Sequence, residues 1–161
     1  MDRQKLERAY RAFVHGHQVV RSARTEAELF RNVCETAVND LGFRLAWIGL
    51  AGDDFAVVPV AQAGYESGYL DSIRITWSDD VLGGGPTGRA IRERKPVIAR
   101  CIATDERFAP WREDALRRGY ASSAAIPLSN GAHCLGALNL YAAEPDAFDD
   151  DEIALLEELA A

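Results

Sequence analysis

The chain has 161 residues, a formal net charge of −7, 48% apolar and 27% charged residues, a size that suits one domain burying roughly two-thirds of its unfolded surface. The acidic balance argues against a nucleic-acid partner, no apolar run approaches the ~20 residues that span a bilayer, and the charged N-terminus lacks a secretory core. Three cysteines, Cys34, Cys101 and Cys134, show no metal-type spacing and fit a reducing, cytoplasmic setting.

Leu6, Tyr10, Phe13, His17 and Val20 recur at spacings of four and three. This is a helix stripe of coiled-coil type, able to pack on a sheet or on a second copy of itself. It marks residues 1–24 as a separate N-terminal helix with a dimerising or signalling role. Thr25 with Glu28 is a capping box that starts a new helix. Phe30, Val33, Cys34, Ala37, Val38 and Leu41 give that helix its buried face, and Gly42 ends it. Phe43 to Leu50 is apolar on both alternate faces, the pattern of a central strand covered on both sides. Gly52-Asp53-Asp54 turns the chain into a returning strand, Phe55 to Ala63, which Pro59 demotes towards an edge or a bulge. Ile73 to Trp77 reads as a short third strand.

Gly83 to Gly85 leave the backbone free for a tight, even left-handed, entry. Pro86 suits the first position of a short helix that Lys95-Pro96 must end. Pro96 to Ala99 follows as a strand, and Pro110 to Arg118 as a second short helix closed by Gly119. Ser123 to Leu128 and Ala132 to Tyr141 flank Asn130-Gly131, the strongest hairpin signal in the chain. Asp149 caps a final helix with Glu152 at its third position and Phe148 placed to staple onto Ile153. That helix reaches Ala161 without a glycine cap or a basic last turn, which suggests continuation into an output domain. The charges are polarised: the first 24 residues carry Arg3, Lys5, Arg8, Arg11, Arg21 and Arg24, whereas no Lys or Arg follows Arg118. Two solvated helix faces, or terminal helices side by side with complementary rims, both account for this.

Most signature chemistry is missing. The glycine-rich turn lacks the phosphate-loop Gly-Lys-Ser/Thr and the Gly-x-Gly-x-x-Gly of a dinucleotide fold. His15 and His17 lie on opposite sides of a helix, and His133 and Cys134 alternate across a strand, so neither pair predicts a metal. Ser122-Ser123 has no nucleophile elbow. Cys101 sits beside Arg100, where a cation favours the thiolate.

Gly-Pro-Thr-Gly-Arg-Ala-Ile, then Lys-Pro-Val-Ile, Asp105 with Phe108 and Trp111, and Ser122 leading into Ile126-Pro127-Leu128, together resemble the GAF family of small-molecule sensor domains. Gly136 to Tyr141, Phe148 to Leu159, Glu28-Leu29 and Leu45 to Gly49 extend the likeness over residues 25–161. It is nearest to modules fused to bacterial histidine kinases or diguanylate cyclases. The resemblance implies an α+β fold: a central antiparallel sheet of five or six strands, terminal helices on one face, and the Leu82–Gly119 insertion forming a pocket on the other. Trp77, Phe108, Trp111 and Tyr120 are the expected walls; Arg112, Ser122 and Cys101 are the expected polar contacts. The family commonly carries an acidic residue where this chain has Cys101. The Cys-His pair of bilin-binding members and the Asn-Lys-Phe-Asp-Glu motif of cyclic-nucleotide-binding members are missing, and the cysteines match poorly those of members that reduce free methionine sulfoxide.

The reading is therefore a cytoplasmic sensory module that is not itself an enzyme. It takes no metal or cofactor and dimerises through its terminal helices. Its ligand is a small molecule with an anionic or strongly polar group near Arg112, a cation expected in the unfavourable first turn of a helix. The rivals are a thiol-dependent redox enzyme or sensor using Cys101, and a ligand-free dimerisation module.

Overall fold

The computed structural model describes residues 24–130 and 133–160. Helix α1, Glu26–Asn39, begins where Thr25 Oγ1 accepts the Glu28 N–H at 3.1 Å, and the chain turns away through Gly42 at φ 77°. Strands β1 (Leu45–Ala51) and β2 (Val57–Gly64) form the expected hairpin. Ile48 pairs with Ala61 but Gly49 with Pro59, so Val60 is the extra residue of a bulge. Pro59 thus sits on an edge strand and beside a bulge, the two places where a missing N–H is tolerated.

A four-residue helix α2, Tyr69–Ser72, and a 3-10 turn, Val81–Gly83, precede helix α3, Pro86–Glu93. Pro86 takes the first position of α3, and Arg94 ends it at φ 57° ahead of Lys95-Pro96. Strand β3 is Val97–Ala99; a 3-10 helix, Glu106–Trp111, then runs into helix α4, Arg112–Arg117. Strands β4 (Ser122–Asn130) and β5 (His133–Ala142) lead to helix α5, Asp150–Ala160, whose Glu152 N–H is capped by Asp149 Oδ1 at 2.9 Å. The sheet order is β2-β1-β5-β4-β3, with every pairing antiparallel. The alternating pattern of β1 and β5 puts one side chain set on each face. Ile48, Ile126, Leu138 and Leu140 pack under α1 and α5 with Cys34, Phe148 and Ile153. Leu45, Trp47 and Tyr141 pack on the other face with Tyr69, Ile91, Ile102, Phe108, Trp111 and Tyr120. Each such side chain contributes about 1.5–3 kcal/mol by leaving water.

Three sequence expectations need correction. Ile73 to Trp77 is not a strand: it makes one bridge, Ala56 to Thr76. Ile75 O and Trp77 N–H pair with Val57 N–H and Phe55 O at 3.0 Å each, but the Thr76 N–H turns away to Leu82 O at 3.2 Å. Asp80, which accepts from Thr76 Oγ1 and Ser78 Oγ at 2.8 and 2.7 Å, caps the 3-10 turn that follows, so the pairing stops at one bridge. The second short helix starts earlier than Pro110, because the Asp105 carboxylate caps Arg107 and Pro110 is accommodated inside a 3-10 run. Gly83 to Gly85 are not left-handed, since Gly84 and Gly85 have φ of −84° and −81°. They are needed for closeness instead: a Cβ on Gly85 would lie 2.2 Å from the Trp111 ring, and one on Gly83 1.8 Å from Ser78 O.

The Leu6–Val20 stripe, and the expected N-terminal helix apart from Arg24, lie outside the described residues, as does Gly131 of the β4–β5 turn. Among the described residues no helix is long and apolar enough to cross a membrane.

Candidate functional site

On the sheet face away from α1 and α5, the start of α3 and the Glu106–Trp111 turn close over β4 and β5. They enclose a cavity of about 10 Å³ lined by Tyr69, Ile75, Pro86, Thr87, Phe108, Trp111, Ser123, Asn139 and Tyr141, room for one water. Strand parity chooses the floor: Ser123 stands opposite Tyr141 and Ala125 opposite Asn139, on the face opposite Ile126 and Leu138. Trp111 forms a wall because its ring rests on Gly85 and its Nε1 donates to Arg74 O at 2.8 Å. Phe108 meets it edge-on at 5.6 Å.

The polar groups of this floor are buried and unevenly matched. Thr87 Oγ1 donates to Asn139 Oδ1 at 2.6 Å, while Asn139 Nδ2 donates to Ala137 O at 3.2 Å and Trp47 O at 3.4 Å. Two carbonyls on the nitrogen side fix that amide's orientation. Tyr141 accepts from Trp47 Nε1 at 3.1 Å, and burial pushes its phenol up to about 12. Burial also holds the Tyr69 phenol well above its usual range. Ser123 is 3% exposed, yet its hydroxyl has no hydrogen-bond partner. An unmade bond of this kind costs about 1–3 kcal/mol.

Phe108 and Trp111 are the two of the seven sequence-predicted residues that line this cavity. Trp77 lies at the β1–β2 turn, its Nε1 donating to Gly52 O at 2.9 Å and its ring 4.5 Å from Phe55. Tyr120 is buried behind Tyr69 and Tyr141, its hydroxyl bound to Tyr65 O. Ser122 turns to the other side and donates to Glu144 O at 2.7 Å. Arg112 spans two loop carbonyls, Ile102 O at 3.2 Å and Asp105 O at 2.6 Å, and holds the backbone of Asp105 rather than its carboxylate. Cys101 is half-buried in the loop after β3, where hydrogen bonds from the Thr104 side chain and nearby amides lower its thiol pKa.

Thr87, Ser123, Asn139, Tyr69 and Tyr141 are the polar lining residues that sequence reasoning missed. Asn139 did leave a signal, as the one polar side chain in the run Gly136 to Tyr141. The choice between Ser122 and Ser123 turns on a one-residue register that inverts the face. Beside the cavity, and sharing Ile75 with it, an open cleft of about 340 Å³ is lined by Trp47, Val57, Leu70, Ile73 and Leu82 together with Arg74 and Thr76. Among the described residues no group of three or more His, Cys, Asp or Glu could hold a metal ion.

A sequence model of the family described as GAF domain matches residues 23–161. Free methionine-R-sulfoxide reductase from Neisseria meningitidis, solved with its substrate, superposes with a TM-score of 0.78 at 18% identity, covering 94% of this chain and 83% of that one. The fRMsr of Staphylococcus aureus, also complexed with substrate, gives 0.75 at 15% identity over 94% and 90%. The GAF domain of a phosphoenolpyruvate-protein phosphotransferase from Coxiella burnetii gives 0.75 at 19% over 96% and 89%. Likeness at these identities is a likeness of fold. No curated protein matches the chain by sequence.

Proposed function

The chain belongs to the GAF domain family, and on that premise we propose that it is a small-molecule-sensing regulatory module of a signal-transduction protein. Its ligand places a small polar group at the cavity floored by Ser123, Asn139 and Tyr141 and seats the rest in the neighbouring cleft of about 340 Å³. The observation that carries this reading is the Ser123 hydroxyl, buried without a protein partner at a cavity also lined by Tyr69, Thr87, Asn139 and Tyr141. Binding sites are apolar enclosures with a few placed polar groups, and a structure that leaves one donor unmatched gains by binding something that matches it.

Ligand state reaches the terminal helices through the floor strand. Ser123 faces the cavity while its neighbour Ser122 holds Glu144 O in the β5–α5 connection. The same connection is tied to the end of β3, where Asp146 pairs with Arg100 at 2.9 Å. A ligand with different affinities for two settings of β4 therefore biases the seating of α5. The dimer formed through the terminal helices is part of this proposal, with the Leu6–Val20 stripe as its seam.

The lowered thiol pKa of Cys101 favours a second reading, a thiol-dependent enzyme, as do fold neighbours that reduce methionine sulfoxide. Against it, Cys34, Cys101 and Cys134 are all outside the lining of the cavity. A thermal-shift screen of metabolites separates the two. A compound that raises Tm for wild type and Cys101→Ser alike, but not for Ser123→Val, supports the sensor. Turnover of free methionine sulfoxide by wild type that Cys101→Ser abolishes would replace it with the enzyme.

A further inference from the structure

The sheet order leaves the outer edge of β2 open. One end of that edge already takes a partner: Val57 N–H donates to Ile75 O, and Trp77 N–H donates to Phe55 O, both at 3.0 Å. The pairing stops there and the strand runs on. Gly52 N–H donates to Ala56 O, and Tyr65 N–H donates to Arg44 O. With the bulge at Val60, residues 56, 58, 61, 63 and 65 therefore turn their main-chain groups to the β1 side. Gln62 and Gly64 present theirs outwards, and among the described residues nothing pairs with them.

Beside this stretch α2 stands off from the strand. The groove between them has a volume of about 380 Å³, with Val60, Ala61 and Gln62 on one side and Glu66, Leu70 and Asp71 on the other. Val60 is 44% exposed and Leu70 half-buried, so the groove offers apolar contact. Its only charged residues are Glu66 and Asp71. Glu66 accepts the Gly68 and Leu70 N–H groups at 3.0 and 2.6 Å, and among the described residues neither carboxylate is in an ion pair. Like charge makes the same edge of a second copy a poor partner. Pro59, which lacks an N–H, and the bulge beside it limit how far any strand can add. What fits is a short extended segment whose main chain pairs with Gln62 and Gly64. Residues i and i+2 of such a segment face the same way, so the matching pattern is aliphatic-x-Lys or Arg. The aliphatic side chain lies on Leu70 and the cation at Glu66 and Asp71.

We propose that this groove is a docking site for a short, basic, extended segment of a partner protein, bound by strand addition to β2. It shares no residue with the cavity over Ser123 and stands independently of what that cavity binds. The probe is the capped peptide Lys-Thr-Val-Thr-Lys, titrated at low salt into the full chain while the amide NMR signals of Gln62, Gly64, Leu70 and Asp71 are followed. All four should shift, with a dissociation constant at least about ten-fold below that of Glu-Thr-Val-Thr-Glu. Asp71→Asn should weaken the lysine peptide by about three-fold, and raised salt should weaken it further. Main-chain pairing is tested from both sides. The fully N-methylated lysine peptide should not bind the wild type, and Gln62→Pro should not bind the unmodified peptide, whereas Gln62→Ala should bind it as the wild type does. Equal binding of the lysine and glutamate peptides overturns the basic partner. Retained binding of the N-methylated peptide, or by Gln62→Pro, overturns strand addition. The absence of any shift at the four amides with millimolar lysine peptide overturns the docking site itself.

Discussion

Replacing Ser123 by alanine should stabilise the unliganded protein, although serine to alanine in a core usually does little. The side chain is 3% exposed and its hydroxyl has no partner, so the folded state carries a desolvation cost of about 1–3 kcal/mol that the unfolded chain does not. Removing one oxygen beside an existing cavity enlarges the void slightly, a loss of about 0.5 kcal/mol at most. The net expectation is a gain near 1 kcal/mol, read as a higher urea midpoint at unchanged slope. For a chain of 161 residues this is a rise in Tm of about 2–4 °C. A stability gained by deleting a functional group is the trade-off expected of a binding site. A loss of 1 kcal/mol or more would refute the reasoning, because it would mean that the hydroxyl is bonded in the free protein.

Thr87→Val keeps the shape of the side chain but leaves Asn139 Oδ1 buried without its donor, so urea denaturation should show a loss of about 1–3 kcal/mol. Arg112→Ala releases Ile102 O and Asp105 O; Tm should fall by an amount equivalent to about 1–2 kcal/mol, while any compound that stabilises wild type should stabilise the variant equally. Burial pushes both Cys34, from an ordinary 9.0, and Tyr141, from an ordinary 10.0, up to about 12. The folded state then holds protons that the unfolded chain releases, so stability should be complete below about pH 9 and fall progressively through pH 12; a flat denaturation midpoint across that window would contradict the burial of both groups, and Tyr141→Phe should make the fall shallower. In the native protein Cys101 should react first with iodoacetamide and Cys34 last, in keeping with a lowered and a raised thiol pKa; mass-mapped labelling at pH 8 checks the order.

The elements were legible in the sequence wherever a local rule decided them. Thr25, Pro86 and Asp149 set helix starts because capping needs only the next three residues. The pairing of β4 with β5 followed from the Asn130-Gly131 hairpin signal between them. The segment from Ile73 to Trp77 misled because its alternation suits a strand, while its pairing ends at one bridge where the Thr76 N–H bonds Leu82 O and the chain enters the 3-10 turn. The site was less legible than the fold. Phe108 and Trp111 announced themselves by size. Tyr120 and Trp77 are as large, yet they pack behind the wall or at a turn, and which one faces a cavity depends on contacts across 25 to 55 residues of sequence. Arg112 drew attention as a cation near a helix start, but the carbonyls of Ile102 and Asp105, in the loop that leads into that helix, satisfy it. Ser123 and Asn139 carry the polar floor because of register and strand order, both tertiary properties.

The central claim is that the cavity over Ser123 and Asn139 is a ligand site, and native mass spectrometry of gently purified protein tests it most directly. Wild type should carry a stoichiometric small-molecule adduct when purified from, or incubated with, cell extract. Ser123→Val, which fills the space with carbon, should lose that adduct while remaining folded by circular dichroism. An adduct of equal occupancy on both proteins would place the ligand elsewhere and contradict the account.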